Sequence, residues 1–338
     1  MEQKNNYVYG IAYGKLYIAG EYAILEDNSS AILTTVDKTI TAIIEPSEKT
    51  TIYDNLHNKE ITMNDSHEHF FYIQKLISFI RDYVKKDSDF SLTIHNELHG
   101  DNKKYGLGSS GAVLVAITKA MLHFYKVPYT NEKIFKLVAL FNILNNISGS
   151  MGDIAASCNE GLTYYKKFEE QFLRNLISEK KSTGEIIEMS WQGLEIKNIS
   201  PNVNIEIFAQ WTGEVVDTKE HVKLWKEKKN SVYKYYKKFV DTSNKLTIEL
   251  KQAIEVGCSA LFLTTINKLR ENLLYLEKFS GIPMETTAMK NYINNFSAGK
   301  QSGSGSGDIV LGFRESKEKF KLTLNLKKLQ EKNLVLKK

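Results

Sequence analysis

The chain has 338 residues, an apolar fraction of 42%, a charged fraction of 25% and a formal net charge of +5. That length fits two domains better than one and that composition excludes a disordered chain, while Cys158 and Cys258 lack the CxxC or Cys/His spacing of a disulfide framework or zinc site. No basic-then-apolar leader opens the chain and no run approaches the ~18 apolar residues of a membrane span, so the expected compartment is the cytoplasm, with no membrane partner.

In chain order, residues 7–12 and 16–19 are short β-like runs around Tyr13-Gly14-Lys15. Residues 31–44 hold two further β-branched stretches, and 90–94 alternate apolar and polar as a half-buried strand does. Phe70, Ile73, Leu76, Ile77, Ile80 and Val84 recur at helical spacing over 69–84. Residues 109–125 form a predicted helix that is apolar on nearly every face, hence deep in a core. A more amphipathic helix covers 131–146, with Asn131 as its N-cap, and a short one starts near Met151. Residues 166–188 are polar and broken at Ser182-Thr183-Gly184, which puts a domain boundary a little beyond them. The expected domains are 1–195 and 196–338. The second opens with a strand over 204–209, continues through Lys/Glu-rich helices and returns to a strand over 309–313.

Lysines thicken at 226–229, at 234–238 and in the tail. These are read as solvated helix faces, with Tyr233, Tyr235 and Tyr236 as packing residues, so no nucleic-acid partner is expected.

Four segments carry chemistry. Tyr105 is followed by Gly106, Leu107, Gly108, Ser109, Ser110, Gly111 and Ala112, which run into the buried helix. Glycines let backbone approach a ligand, and a helix start offers unpaired N–H groups at the positive end of a dipole. Two hydroxyls there suit phosphate oxygens or Mg²⁺. The alternative is a Gly/Ser loop that merely caps a core helix. Around Lys15, Gly10 and Gly14-Lys15 nearly match a P-loop, but the spacing is one residue short and Leu16 stands where Ser or Thr is needed. A P-loop NTPase is thereby excluded, and Lys15 is either a functional cation or an exposed strand lysine. Asp153, in Ser148-Gly149-Ser150-Met151-Gly152-Asp153, falls at a helix start, where it is either functional or an N-cap. Ser302-Gly303-Ser304-Gly305-Ser306-Gly307 precedes Asp308 and an apolar strand, which favours a backbone anion nest over a flexible linker.

Lys15-Leu16-Tyr17-Ile18-Ala19-Gly20-Glu21-Tyr22-Ala23, the Gly-Leu-Gly-Ser-Ser stretch and the late glycine turn, in that order, resemble the three motifs of GHMP kinases. Lys103-Lys104-Tyr105-Gly106, Ser150-Met151-Gly152-Asp153 and Trp211-Thr212 are similar to bacterial phosphomevalonate kinases in particular. The resemblance covers residues 7–313. Tyr13 stands where the first motif has Pro, Asn102 where a Pro often opens the second, and Ser304, Ser306 and Ile309 where the third has Ala, Gly and Cys. Tyr22 stands where mevalonate kinases carry His.

The resemblance implies an α+β protein with an N-terminal domain like the second domain of ribosomal protein S5 and a ferredoxin-like C-terminal domain. It implies ATP-dependent phosphorylation of phosphomevalonate; another GHMP kinase, mevalonate kinase first, and a catalytically silent binding protein of this fold remain alternatives. Lys15 and Asp153 would be catalytic. Lys104 and Gly106 to Ala112 would bind ATP, with Ser110 a ligand of Mg²⁺. Lys15, Glu21, Tyr22, Lys104, Ser150, Asp153, Thr218, Ser302 and Gly303 would contact the substrate. A monomer or homodimer is expected.

Overall fold

The computed structural model describes residues 7–100, 103–147, 149–214 and 231–329, together with Lys223 and Glu227. Thr218 and the lysines of 226–229 lie outside the described residues.

Seven strands form the first sheet: β1 (Val8–Ala19), β2 (Ser30–Pro46), β3 (Thr51–Asp54), β4 (Lys59–Thr62), β5 (Phe90–Asn96), β8 (Leu162–Lys166) and β9 (Glu195–Ile199). The short ribbon β6 (His99–Gly100) and β7 (Lys103–Lys104) stands apart. The two runs expected within 7–19 are one strand, and so are the two within 31–44. Each is bent rather than interrupted. Between Tyr13 and Lys15 the β2 partner moves from Thr39 to Thr35, and a second shift falls between Tyr17 and Ala19. Such irregularities bend a strand and re-aim its side chains. Here the N–H of Lys15 leaves the ladder and donates to the carbonyl of Leu107 at 2.9 Å.

Helices α1 (Phe71–Val84), α2 (Ser109–Phe124), α3 (Asn131–Leu144) and α4 (Gly152–Cys158) belong to the same half of the molecule. Helix α2 is buried almost throughout, against β1 and β2, as its all-round apolar sequence requires. A Cβ at Gly10 would stand 2.2 Å from the Ala116 carbonyl of α2, so this glycine of the near-miss P-loop is a packing residue. The cap of α3 is Thr130, whose hydroxyl accepts from the N–H of Lys133; Asn131 instead bonds Asn159. The polar segment expected to be broken holds α5 (Glu170–Ser178) and α6 (Thr183–Glu188). Its Ser-Thr-Gly is a helix start, with Ser182 and Glu185 closing a capping box.

The second sheet contains β10 (Ile205–Trp211), β11 (Ala298–Ser302), β12 (Ile309–Glu315) and β13 (Lys321–Asn325) in the order β11-β12-β10-β13. That is the ferredoxin-like strand order, except that β13 pairs parallel to β10 and follows β12 without an intervening helix. Helices α7 (Tyr233–Val256), α8 (Ser259–Ser280) and α9 (Thr287–Ile293) connect β10 to β11. Of the three tyrosines expected to pack, Tyr236 is buried, Tyr235 is exposed but stacks on Phe279 at 6.0 Å, and Tyr233 is exposed, which corrects its reading as a packing residue. Among the described residues no helix is long and apolar enough to cross a membrane.

Candidate active site

The loop before α2 turns on two glycines in the left-handed region, Gly106 (φ +80°) and Gly108 (φ +83°), where a side chain would be strained. Gly108 is the N-cap of α2, and no side chain caps it. Ala112 donates to the Gly108 carbonyl at 3.1 Å, so Ser109, Ser110 and Gly111 have amides outside the helical ladder. Ser110 is exposed while Ser109, Leu107 and Ala112 are buried. What Leu107 offers a ligand is therefore backbone, while Ala112 is buried with its N–H already given to Gly108.

Lys15 and Asp153 converge on this helix start. A Cβ at Gly108 would lie 2.9 Å from Cε of Lys15 and 3.4 Å from Cβ of Asp153, and one at Gly111 would lie 2.6 Å from Oδ2 of Asp153. The Lys15 ammonium donates to the Gly106 carbonyl at 3.3 Å and stands 5.3 Å from the centre of the Tyr17 ring. Lys15 is buried, not an exposed strand lysine. Burial lowers its pKa, opposed by the carboxylates of Asp153 and Asp308, while Lys104 adds to the lowering and Glu21 opposes it. Asp153 does not occupy the cap of α4; Met151 does, at φ +61°. Burial raises the Asp153 pKa, opposed first by Lys15 and then by the amides of Ile154 and of Asp153 itself.

Ser150 is held from three sides. Its Oγ shares a 2.9 Å hydrogen bond with the Tyr17 hydroxyl and accepts from the Gly152 N–H, and its carbonyl accepts from the Tyr165 hydroxyl at 3.0 Å. Ser302 Oγ accepts from the Tyr17 N–H at 2.8 Å. Tyr17 thus joins Ser150 to Ser302, a role that sequence reasoning missed although Tyr17 lies within the first motif. Gly303 (φ +88°) faces open space.

Glu21 and Tyr22 are placed differently from the rest. The Glu21 carboxylate is buried and ion-paired with Lys300, and the Tyr22 hydroxyl donates to the Ser304 carbonyl at 2.7 Å. Part of the late glycine turn is already hydrogen-bonded within the protein. The N–H of Ser306 donates to Met284 and that of Asp308 to Glu214, each at 2.9 Å, and the Ser306 hydroxyl donates to the Pro283 carbonyl. Three consecutive Ser-Gly pairs suggest free backbone, but the Ser306 amide and hydroxyl are taken up by the loop after α8.

Beside the phosphate-loop candidate opens a cleft of about 770 Å³, lined in part by Lys38, Lys103, Tyr105, Trp211 and Lys327. The Tyr105 and Trp211 rings meet edge-on at 5.3 Å, and the buried indole N–H of Trp211 has no partner among the described residues.

The arrangement can hold a polyanion on helix amides beside one buried cation and one buried carboxylate. Residues 72–161 match the family model described as GHMP kinases N terminal domain. The chain is 24% identical to the phosphomevalonate kinase of Streptomyces sp. (strain CL190), over 92% of this chain and 91% of that one. Among solved structures, the Lin0012 protein from Listeria innocua superposes with a TM-score of 0.86 at 29% identity, covering 92% of each chain. Streptococcus pneumoniae phosphomevalonate kinase in complex with phosphomevalonate and AMPPNP gives 0.83 at 26% identity, covering 91% of this chain and 92% of that one.

Proposed function

We propose that this chain, a GHMP kinase by its fold and its N-terminal domain, transfers the γ-phosphoryl group of ATP to phosphomevalonate, giving ADP and diphosphomevalonate for the mevalonate route to isoprenoids. One observation carries the reading: Lys15 and Asp153 meet at Gly108, and Asp153 reaches on to Gly111, on the helix start that presents unpaired amides. The relatives that match over nine-tenths of the chain support the acceptor.

Phosphoryl transfer needs positioning and charge neutralisation more than covalent help. Gly106 to Gly111 cradle the triphosphate through backbone N–H groups, and the cleft at Tyr105 and Trp211 takes the nucleoside end. A phosphate oxygen of phosphomevalonate attacks the γ-phosphorus as the bond to the bridging oxygen of ADP breaks. Asp153 orients that phosphate or removes its remaining proton, which demands little base strength because a monoester's second pKa is about 6. Lys15 offsets the charge developing on the transferred group. Ser150, Ser302, Gly303 and Lys104 grip the acceptor phosphate. The exposed Ser110 hydroxyl is a hard oxygen donor of the kind Mg²⁺ takes, and that ion, when bound, neutralises phosphate charge.

The same proposal places the protein in the cytoplasm as a monomer or homodimer. It divides the chain into units of 1–195 and 196–338, with the last strand of the first sheet running on to Ile199. The test is to offer ATP with mevalonate, phosphomevalonate or homoserine and follow ADP release. Turnover at least tenfold better by kcat/KM with phosphomevalonate is expected. Equal or better use of mevalonate overturns the acceptor, and binding without ADP release makes the chain a silent binding protein.

A further inference from the structure

Asp308 lies in the third glycine-rich turn, far from Lys15 in sequence, yet the two meet over one peptide. A Cβ at Gly106 would stand 2.5 Å from Cγ and 2.7 Å from Oδ2 of Asp308, so the carboxylate rests directly on the backbone of Gly106. The Gly106 carbonyl is the group to which the Lys15 ammonium donates. Asp308 is buried and its main chain is fixed on both sides: its N–H donates to Glu214, and its carbonyl accepts from the Thr212 N–H at 2.8 Å. Its φ of +49° is in the left-handed region, so this anchoring sets where the side chain points. After Asp153, it is the carboxylate that acts most strongly on Lys15.

We propose that Asp308 is a positioning residue for Lys15, fixing its ammonium over the phosphate loop and locking the third glycine turn onto the second. Its part in phosphoryl transfer rests on the kinase reading above; its hold on Lys15 does not. Asp308 braces the Gly106 peptide whose carbonyl holds the ammonium, and its charge, with that of Asp153, favours the charged form of that buried group. Asp308 touches neither reacting atom in this scheme and acts through Lys15. The charged groups that act on Lys15 are Asp153 from α4, Asp308 from the turn, Lys104 from β7 and Glu21 just after β1, and the Tyr17 ring lies 5.3 Å from its ammonium.

The experiment follows Lys15 itself, with no substrate present. Protein carrying ¹³C at lysine Cε is titrated by NMR, and the Lys15 resonance is assigned by its loss in K15R. Asn is at ease at positive φ, so Asp308→Asn removes the charge and keeps the backbone. The Lys15 midpoint is expected to fall by about 0.5 pH unit or more in Asp308→Asn. In turnover, kcat falls ~10-fold while both KM values stay within about threefold, the split of a group felt mainly in the transition state. If Asn at 308 fails to fold, Asp308→Gly serves, since glycine adopts the same φ freely. An unmoved Lys15 midpoint in a folded variant overturns the positioning role, even if turnover is lost. A moved midpoint in a protein that turns over no phosphomevalonate upholds it and sinks the acceptor assignment instead.

Discussion

Lys300 and Glu21 form an ion pair with both side chains sealed from solvent. It ties β11, just before the third glycine turn, to the end of the first motif's strand. Removing one partner of a buried pair leaves a bare charge in the core, at about 3–5 kcal/mol, whereas replacing both is often close to neutral. Lys300→Met is therefore expected to lower the unfolding free energy measured by urea titration by that order, and Lys300→Met with Glu21→Gln to recover most of it. Equal losses in the single and double variants would show that the pair does not couple these strands.

Tyr17→Phe tests the link between Ser150 and Ser302. The phenol is held protonated, its pKa pushed up by burial first and by Asp153 next, with Glu21 contributing; the bond to Ser150 opposes them. It therefore acts as a neutral hydroxyl. Losing its hydrogen bond to Ser150 costs about 1 kcal/mol of stability. The KM for phosphomevalonate is expected to rise severalfold with the KM for ATP unchanged, because Ser150 lies on the acceptor side. Steady-state kinetics with each substrate varied in turn decides it; a rise confined to ATP would move Ser150 to the nucleotide.

Much of this was legible in the residues, and the limits are physical. The 3.6-residue spacing through Ile73, Leu76 and Ile80 and the all-apolar run after Ser109 gave α1 and α2 within a residue or two. Lys15 and the glycines of 106–111 stood out because strand lysines and left-handed turns are unusual. Nothing local told that Asp308 would rest on Gly106, or that Glu21 would face Lys300. These are contacts across hundreds of residues, set by how the sheets pack. The strands of 51–54 and 59–62 were missed because four-residue runs with Asp and Lys carry too weak an alternation. The partners of Ser306 in the third turn were out of reach for a related reason: Ser-Gly repeats show conformational freedom, not which partners take up their donors.

Gly111→Ala separates packing from helix propensity at the site. Alanine is the better helix former by ~1 kcal/mol, so the helix alone predicts a stabilised protein. The added methyl, however, would stand 2.6 Å from Oδ2 and 2.9 Å from Cγ of Asp153. The carboxylate must shift, and kcat is expected to fall at least tenfold, since a displacement of about 1 Å can cost ~10²-fold. Thermal melting and kinetics are read together. A variant that is more stable and fully active would show that Asp153 tolerates displacement and does not orient the acceptor.

Asp153→Asn bears most directly on the chemistry. Asn keeps the size of the side chain and removes the charge. As Met151 and not Asp153 holds the cap position of α4, the substitution removes no helix cap. If the carboxylate orients or deprotonates the attacking phosphate, kcat falls by ~10²-fold or more, with ATP and phosphomevalonate affinities within a few-fold. The pH profile adds a signed test. Burial holds Asp153 above the ordinary carboxylate range, so the acid limb of the wild-type kcat profile sits above ~4. Burial holds Lys15 below the ordinary lysine range, so the alkaline limb sits below ~10.4 and the bell is narrowed from both sides. Because the two groups face each other, these limbs belong to the pair. In Asp153→Asn the carboxylate limb disappears, leaving on the acid side only the substrate phosphate near ~6. The alkaline limb moves down, because Lys15 has lost its strongest anionic neighbour. A variant with near-normal kcat and an unmoved alkaline limb would remove Asp153 from the mechanism and leave it a buried acid at a helix start.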